Sequence, residues 1–214
     1  MFFNNINLLK KKHILLLFLF IFLLEPLTSQ ISFKTFLGGQ IAWLDHGLND
    51  KLDVSDQQRL NALYEPVLLP YLGFQSQIKL NGKIDLNIEC QLVYKGQNSN
   101  FYNHFEKSLY VEFIPYVDFN FWNEMRFGIG PYIGLKIKNG LLLNNTTQSL
   151  PRNNWDYGGM VSLAYVFERF TFRVVYFHSV NTTISFIFQK NNGNNFVYGD
   201  NKNRVFQIGI GYTI

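Results

Sequence analysis

From about residue 33 to the C-terminus, apolar and polar residues alternate with a period of two in one segment after another. The clearest run is 84–95, where the even positions are apolar or weakly polar and the odd positions are polar, with Val93 as the exception. Successive side chains of a β-strand point to opposite faces. The pattern therefore predicts strands that each have one apolar face and one polar face.

Eight such segments follow one another along the chain. Their predicted bounds are 33–44, 71–80, 84–95, 109–121, 125–138, 157–167, 170–178 and 206–214. Each has about 9–13 residues, which suits a tilted strand crossing a bilayer. Short links at 81–83, 122–124 and 168–169 alternate with long links at about 45–69, 96–108, 139–155 and 179–203. The predicted fold class is all-β, an eight-stranded antiparallel up-and-down transmembrane β-barrel with both termini on the short-turn side.

The first 29 residues have the pattern of a signal peptide. Three lysines at 10–12 precede an uncharged run, 14–24, which is shorter than the roughly 20 residues that a membrane-spanning helix needs. Small and polar residues close the run, so cleavage is predicted before Gln30. An uncleaved N-terminal anchor helix is the alternative. We therefore predict a cleaved signal peptide (1–29) and an outer-membrane β-barrel domain (30–214).

Because each strand has one apolar and one polar face, the barrel has two possible arrangements. In a soluble calyx of the lipocalin type the apolar face lines the interior, whereas in a membrane barrel it faces lipid. An eight-stranded barrel is only just wide enough to be filled by side chains, and the apolar faces hold too many bulky residues for that space. No Asp, Glu, Lys or Arg falls on the central part of these faces. Both observations favour the membrane arrangement.

Aromatic residues gather at the ends of the segments. Those near the short turns are Phe119, Phe121, Trp122, Phe167 and Phe170, and those near the long links are Trp43, Tyr94, Trp155 and Tyr157. Membrane barrels carry two such girdles at the levels of the lipid headgroups.

Composition removes several classes of function. The formal net charge is +4, and leaving out residues 1–29 removes three basic residues and one acidic residue, which lowers it to +2. Nucleic-acid binding calls for a clustered basic face, which the sequence lacks. Cys90 is the only cysteine, so neither an internal disulfide nor a cysteine-based metal cluster is possible. We predict no cofactor and no metal site.

The polar faces carry charges of both signs. The predicted inward cations are Lys34, Lys79, Lys95, Arg126, Lys136 and Arg173, and the predicted inward carboxylates are Asp85, Glu89, Glu112, Asp118 and Asp156. Opposite charges in a narrow lumen are expected to pair and to plug it, because an unpaired buried charge is costly. A conducting pore, or a cation or acid–base site built from paired carboxylates, is the alternative.

One hydrolase hypothesis can be built on His178 and Ser179, together with Asn181 and the later Asn192-Gly193. The pattern is similar to the His-x-Ser-Asn pattern of outer-membrane lipid A deacylases. A serine nucleophile needs an imidazole within hydrogen-bond reach and an acid to orient it. Adjacent residues on a strand point to opposite faces, and Asp200 is the only acid after Glu168. We therefore predict that the chain is not an enzyme and has no catalytic residues.

The chain from about Phe33 to Ile214 resembles the PorT-like family of outer-membrane β-barrel proteins. The resemblance lies in the segments IDLNIECQLVYKG, YVEFIP, GIGPYIGLK and NRVFQIGIGYTI. Two departures are the extra residue before Pro115, where a bulge would fit, and Val175 in place of the arginine of an Arg-Tyr pair. The chain also ends in Ile214 where many barrels end in an aromatic residue. The resemblance implies architecture and location, and it adds a link to protein secretion through the family's founding member.

The predicted function is therefore that of an integral protein of the cell outer membrane with a structural or surface-interaction role. An accessory component of protein secretion, a small pore and a lipid A-modifying hydrolase are alternatives in that order. Expected partners are outer-membrane lipids, periplasmic chaperones and the barrel-assembly machinery during biogenesis, and a secretion-system or surface partner at the Asn-rich long links. Both termini are predicted to be periplasmic.

Overall fold

The computed structural model describes residues 31–45, 55, 64–99, 104–141, 154–181, 184–189 and 196–214. The predicted signal peptide lies outside these residues. The strands are β1 (Ile31–Asp45), β2 (Tyr64–Lys79), β3 (Ile84–Ser99), β4 (His104–Trp122), β5 (Met125–Leu141), β6 (Trp155–Phe167), β7 (Phe170–Ser179), β8 (Ile184–Gln189) and β9 (Phe196–Thr213). Within the described residues, no helix is both long and apolar enough to span a membrane.

Eight of these strands form one closed antiparallel wall in the order β1-β2-β3-β4-β5-β6-β7-β9, and β9 pairs back to β1. One circuit of paired residues runs through Ile31, Ile78, Leu86, Val117, Ile129, Val161, Tyr176 and Phe206 and returns to β1 at Ile41. The circuit therefore closes ten residues further along β1, which corresponds to strands tilted by about 40° from the barrel axis. This closure confirms the predicted eight-stranded up-and-down barrel.

The strands are longer than the sequence predicted. The barrel strands have between 10 residues in β7 and 19 residues in β4, because pairing continues beyond the apolar segments into the predicted long links. The β3–β4 pair, for example, reaches Ser99 and His104. Beyond the bilayer both faces of a strand meet water, so hydrophobic alternation no longer marks it. The predicted link at 96–108 was therefore wrong for most of its length.

A ninth strand was also missed. β8 and the first part of β9 form a short hairpin from the pair Ile184–Asn201 to the pair Gln189–Phe196, inside the predicted link at 179–203.

The three short turns lie where they were predicted. Asn123 and Glu168, which have positive φ angles of 40° and 52°, form the β4–β5 and β6–β7 turns. The Asn81 side chain accepts hydrogen bonds from the backbone N–H groups of Lys83 and Ile84 in the β2–β3 turn.

The apolar faces point out of the barrel and the polar faces point in. In β6 and β7, exposed and buried or half-buried residues alternate almost without interruption, and the exposed positions include Val161, Leu163, Phe172 and Val174. Among the side chains that the structure describes, outward charges lie in the turns or, like Lys202 and Arg204, where pairing of β9 with its neighbours in the wall ends. A closed barrel with an uncharged apolar belt is the architecture of an outer-membrane β-barrel.

The lumen is more apolar than the sequence analysis predicted. Phe36, Tyr71, Ile114 and Phe177 are almost completely buried inside it. Glycines on facing strands give these rings their space: a Cβ added at Gly209 would lie 1.8 Å from the Tyr71 hydroxyl oxygen. The inward side chains therefore interlock across a narrow interior instead of surrounding a channel.

Pairing in the wall is irregular at several places, and one of them is a gap between β4 and β5. Pairing runs without a shift from Tyr110–Lys136 to Phe113–Ile133 and resumes at Val117–Ile129, which places Pro115 opposite Pro131 between them. Neither proline has an N–H group to donate to the ladder. The register does not change across this gap, and β3 pairs with β4 without a shift throughout. The bulge considered before Pro115 is therefore absent.

The outward belt makes a direct prediction about stability. Ile129→Lys places a cation near mid-membrane, and we expect it to lower the free energy of unfolding by about 2–4 kcal/mol. Phe121→Lys, next to the β4–β5 turn, is the matched control and is expected to cost about 0–1 kcal/mol. Urea titration of the barrel in phospholipid vesicles measures both values. Equal costs at the two positions would contradict the membrane arrangement.

Candidate functional site

The lumen holds a balanced set of buried charges. Among the described residues that point inward, the cations are Lys34, Lys95, Lys136, Arg173 and the half-buried Arg126, and the carboxylates are Asp85, Glu89, Glu112, Asp118 and Asp156. The two sets are equal in number, so the buried interior is formally neutral. Ionised groups in a low-dielectric space are tolerated when each has an opposite charge or hydrogen-bond donors nearby.

Asp156 organises the end of the lumen near the long links. One carboxylate oxygen accepts hydrogen bonds from the Ser179 hydroxyl at 2.6 Å and the Tyr132 hydroxyl at 3.2 Å. The other accepts from the Lys95 ammonium at 2.8 Å and the Asn203 amide at 2.9 Å. The four donors come from β7, β5, β3 and β9. We call Asp156 and these four residues the Asp156 cluster, because one carboxylate on β6 joins four other strands.

The Asp156 cluster continues sideways through side-chain amides. Lys95 also forms an ion pair with Glu112, and Glu112 accepts a hydrogen bond from Gln91 at 2.5 Å. Gln207 donates to Gln40 at 2.8 Å and to Gln91 at 3.3 Å. This chain of contacts occupies the cross-section between β1, β3, β4 and β9.

The middle of the lumen is crossed by one ion pair. The Arg173 guanidinium on β7 donates to both oxygens of Glu89 on β3, at 2.5 and 2.8 Å. It also donates to the Tyr116 hydroxyl at 3.1 Å and lies 4.0 Å from the centre of the Phe36 ring. Bidentate geometry and the neighbouring ring make this the strongest type of arginine contact. The pair joins strands on opposite sides of the barrel.

A third group lies near the short turns. Arg126 donates to Asp85 at 3.0 Å, and Gln77 donates to the same oxygen at 2.6 Å. Asp118 accepts from Asn87 at 2.9 Å, and Lys34 lies within electrostatic range of both carboxylates. The three groups therefore lie at successive levels of the lumen, from the long links to the short turns.

The sequence identified most of these residues but not all. All of the predicted inward charges are buried or nearly buried except Lys79, which is exposed. The prediction for Lys79 was wrong because β2 ends at this residue, so its side chain has left the lumen. Arg204 was not among the predicted inward charges, because its even position places it on the same face as the outward Phe206 and Ile208. Its guanidinium instead bends to Asp45 at 2.7 Å and to the Ser179 carbonyl at 2.7 Å.

The hydrolase hypothesis finds no support in this geometry. His178 is exposed on the outward face, whereas Ser179 is completely buried and points inward. The Ser179 hydroxyl already donates to Asp156, and Asn181 caps the adjacent backbone through bonds to Trp155 and Tyr157. Asn192 and Gly193 lie outside the described residues. Among the described residues there is also no group of three side chains suited to holding a metal ion.

Comparisons with known proteins return solved structures of membrane barrels. No protein-family model matches the chain, and no curated protein matches it. Ail, the attachment invasion locus protein of Yersinia pestis, was solved in complex with the heparin analogue sucrose octasulfate. It has a TM-score of 0.44 and 10% identity over 86% of this chain and 99% of that chain.

Two further structures are similar at the same level. Neisserial surface protein A has a TM-score of 0.47 and 8% identity, over 86% of this chain and 97% of its own. The outer-membrane protein AlkL, solved in lipid bilayers, has a TM-score of 0.44 and 9% identity, over 86% of this chain and 90% of its own. Likeness at this level concerns the barrel fold and says nothing about ligands.

The central pair predicts a characteristic pattern of stabilities. Glu89→Leu leaves the Arg173 guanidinium buried without its carboxylate, and we expect a loss of about 3–5 kcal/mol in the free energy of unfolding. Adding Arg173→Met removes the orphaned charge and should restore most of that loss. Urea titration of the two single variants and the double variant gives the coupling. Additive losses would show that the two residues do not act as a pair.

Proposed function

We propose that this protein is a non-enzymatic barrel of the outer membrane whose closed wall anchors it and whose long-link end makes surface contacts. The observation that carries the proposal is the filled lumen. Three groups of buried charged and polar side chains, together with the interlocked rings, occupy the described part of the interior. Such a barrel holds its strands rigidly in place and offers its ends for contacts.

The end with the long links is better suited to contacts than the end with the short turns. The β3–β4 pair extends to Ser99 and His104, and the β8–β9 hairpin adds a second extension. Extensions on a rigid scaffold are common binding elements. The proposed binding partner at this end is a component of a secretion system or another molecule of the cell surface.

Location and biogenesis follow from the same proposal. The barrel would sit in the outer membrane with both termini in the periplasm, in contact with membrane lipids after delivery by periplasmic chaperones and the barrel-assembly machinery. Membership of the PorT-like family is part of the proposal. It is supported by the order of the quoted segments along the chain, and it keeps an accessory role in protein secretion as the second candidate function.

The filled lumen predicts that the protein does not conduct. In planar lipid bilayers we expect no stable single-channel steps from the native barrel. The double variant Glu89→Ala/Arg173→Ala removes the central pair and should produce conducting events, which shows that the assay detects an opened lumen. Steady conductance of the native protein would overturn the proposal and favour the small pore.

The topology can be tested by labelling in intact cells. Cys90 is exposed toward lipid, so the experiment starts from a Cys90→Ser background. A membrane-impermeant thiol reagent should label His104→Cys at the long-link end and should leave Glu124→Cys in the β4–β5 turn unlabelled until the cells are broken. Labelling of Glu124→Cys alone in intact cells would place the short turns outside.

A further inference from the structure

The edge of the barrel near the long links carries a cluster of basic and aromatic side chains on its outward face. We call it the rim patch: Trp43, Tyr176, His178, Lys202 and Arg204. His178 pairs with Arg204 across β7 and β9, and Arg204 pairs with Trp43 across β9 and β1. The Trp43 and Tyr176 rings are 6.4 Å apart, and the Tyr176 and His178 rings are 6.3 Å apart.

The rim patch has an excess of positive charge. Arg204 is held by Asp45 and by the carbonyl oxygens of Ser179 and Asn203, so its position is fixed. Lys202 stands in register with the same Asp45, but it forms no ion pair within the part of the chain that the structure describes. Both cations act electrostatically on the exposed His178 imidazole. Two cations and one carboxylate thus lie beside the imidazole, which leaves positive charge in excess.

The position of the rim patch matches the headgroup level of a bilayer. Trp and Tyr rings at the edge of the apolar belt lie at the membrane–water interface. Basic side chains just beyond that edge meet the phosphate groups of lipids, for which anionic charge and hydrogen-bond acceptors provide the complementary chemistry.

The outward surface beside the rim patch can accommodate an acyl chain. The row of paired residues that contains His178 continues through Gly159 to Pro131, and Pro115 stands opposite Pro131. These three residues project little from the wall: a Cβ added at Gly159 would have no heavy atom closer than 4.0 Å. Neighbouring rows carry bulkier exposed residues, such as Ile133 and Tyr157 above the row and Ile129 below it. The row spans three strand spacings from β4 to β7, about 14 Å.

We propose that the rim patch binds the phosphate group of an anionic membrane lipid, whose acyl chain lies along the row through Gly159, Pro131 and Pro115. Lys202 and His178 contact the phosphate, Arg204 adds its fixed charge, and Trp43 and Tyr176 pack against the glycerol region. This inference rests on the proposed membrane location and adds a specific lipid site to it.

Quenching of tryptophan fluorescence by brominated lipids tests the site directly. The Trp122→Phe/Trp155→Phe variant of the full barrel leaves Trp43 as the only tryptophan, and heat-modifiable gel migration verifies that it is folded. It is reconstituted into phosphatidylcholine vesicles that contain a small fraction of either brominated phosphatidylglycerol or brominated phosphatidylcholine. We expect phosphatidylglycerol to quench Trp43 at a concentration about fivefold lower.

Matched variants and a competitor separate the possible outcomes. Lys202→Gln should abolish the difference between the two lipids, whereas Lys83→Gln, which removes an exposed cation at the short-turn end, should preserve it. Equal quenching by both lipids would overturn the lipid site while leaving the membrane location intact. Quenching by neither lipid would overturn both. Displacement of the preference by inorganic phosphate would show a site for free phosphate and would overturn the assignment to a lipid.

Discussion

The ionised side chains inside this barrel are paired with one another and with polar side chains of neighbouring and facing strands. The wall is coated with apolar residues and the inward charges are almost completely buried, so each of them depends on an opposite charge or a hydrogen-bond partner inside the lumen. The Glu89–Arg173 pair shows the result most clearly. Its residues are 84 positions apart in the chain, and they meet only when β3 and β7 stand on opposite sides of the same closed wall.

The same constraint links the lumen to the wall. Asp156 receives donors from β3, β5, β7 and β9, so a slip of one residue in any of these strands would turn a donor toward lipid and leave the carboxylate short of a partner. Closure of the backbone hydrogen-bond ladder is the second requirement, because backbone groups in contact with lipid must be paired within the wall. The gap at Pro115 and Pro131 lies on β4 and β5, where the Tyr116 and Tyr132 side chains still join the lumen network. Interior contacts therefore stabilise the part of the wall where the ladder is interrupted.

The sequence predicted the parts of the fold that follow from local pattern. Alternation gave the outward and inward faces of segment 84–95, and the turn residues gave the three short links. Ten of the eleven predicted inward charges were also correct. Inside a strand, the odd or even position of a residue alone decides which face its side chain occupies. The pattern does not decide burial near the rims: Lys79 is exposed where β2 ends, and Arg204 is buried on the outward face because it contacts Asp45 and the Ser179 carbonyl.

Other features depend on distant contacts that no local pattern contains. Nothing in the sequence indicates that Glu89 selects Arg173 rather than Lys34, since this depends on which strands face each other after closure. The burial of Phe36 and Phe177 inside the lumen was not predicted. An isolated apolar residue on a mostly polar face does not change the alternating pattern from which the faces were predicted. The extensions of β3 and β4 beyond the apolar segments lack hydrophobic alternation, and the β8–β9 hairpin lies in a link for which no strand was predicted.

The central claim is that apolar residues face lipid while charged residues fill a closed lumen. Spin labels placed one at a time along positions 85–92 of β3, in the barrel reconstituted in vesicles, measure it most directly. The account predicts that oxygen, which concentrates in the bilayer, reaches labels at 86, 88, 90 and 92 readily and labels at 85, 87, 89 and 91 poorly. Collision with oxygen that peaks at the odd positions, or that lacks a period of two, would contradict it.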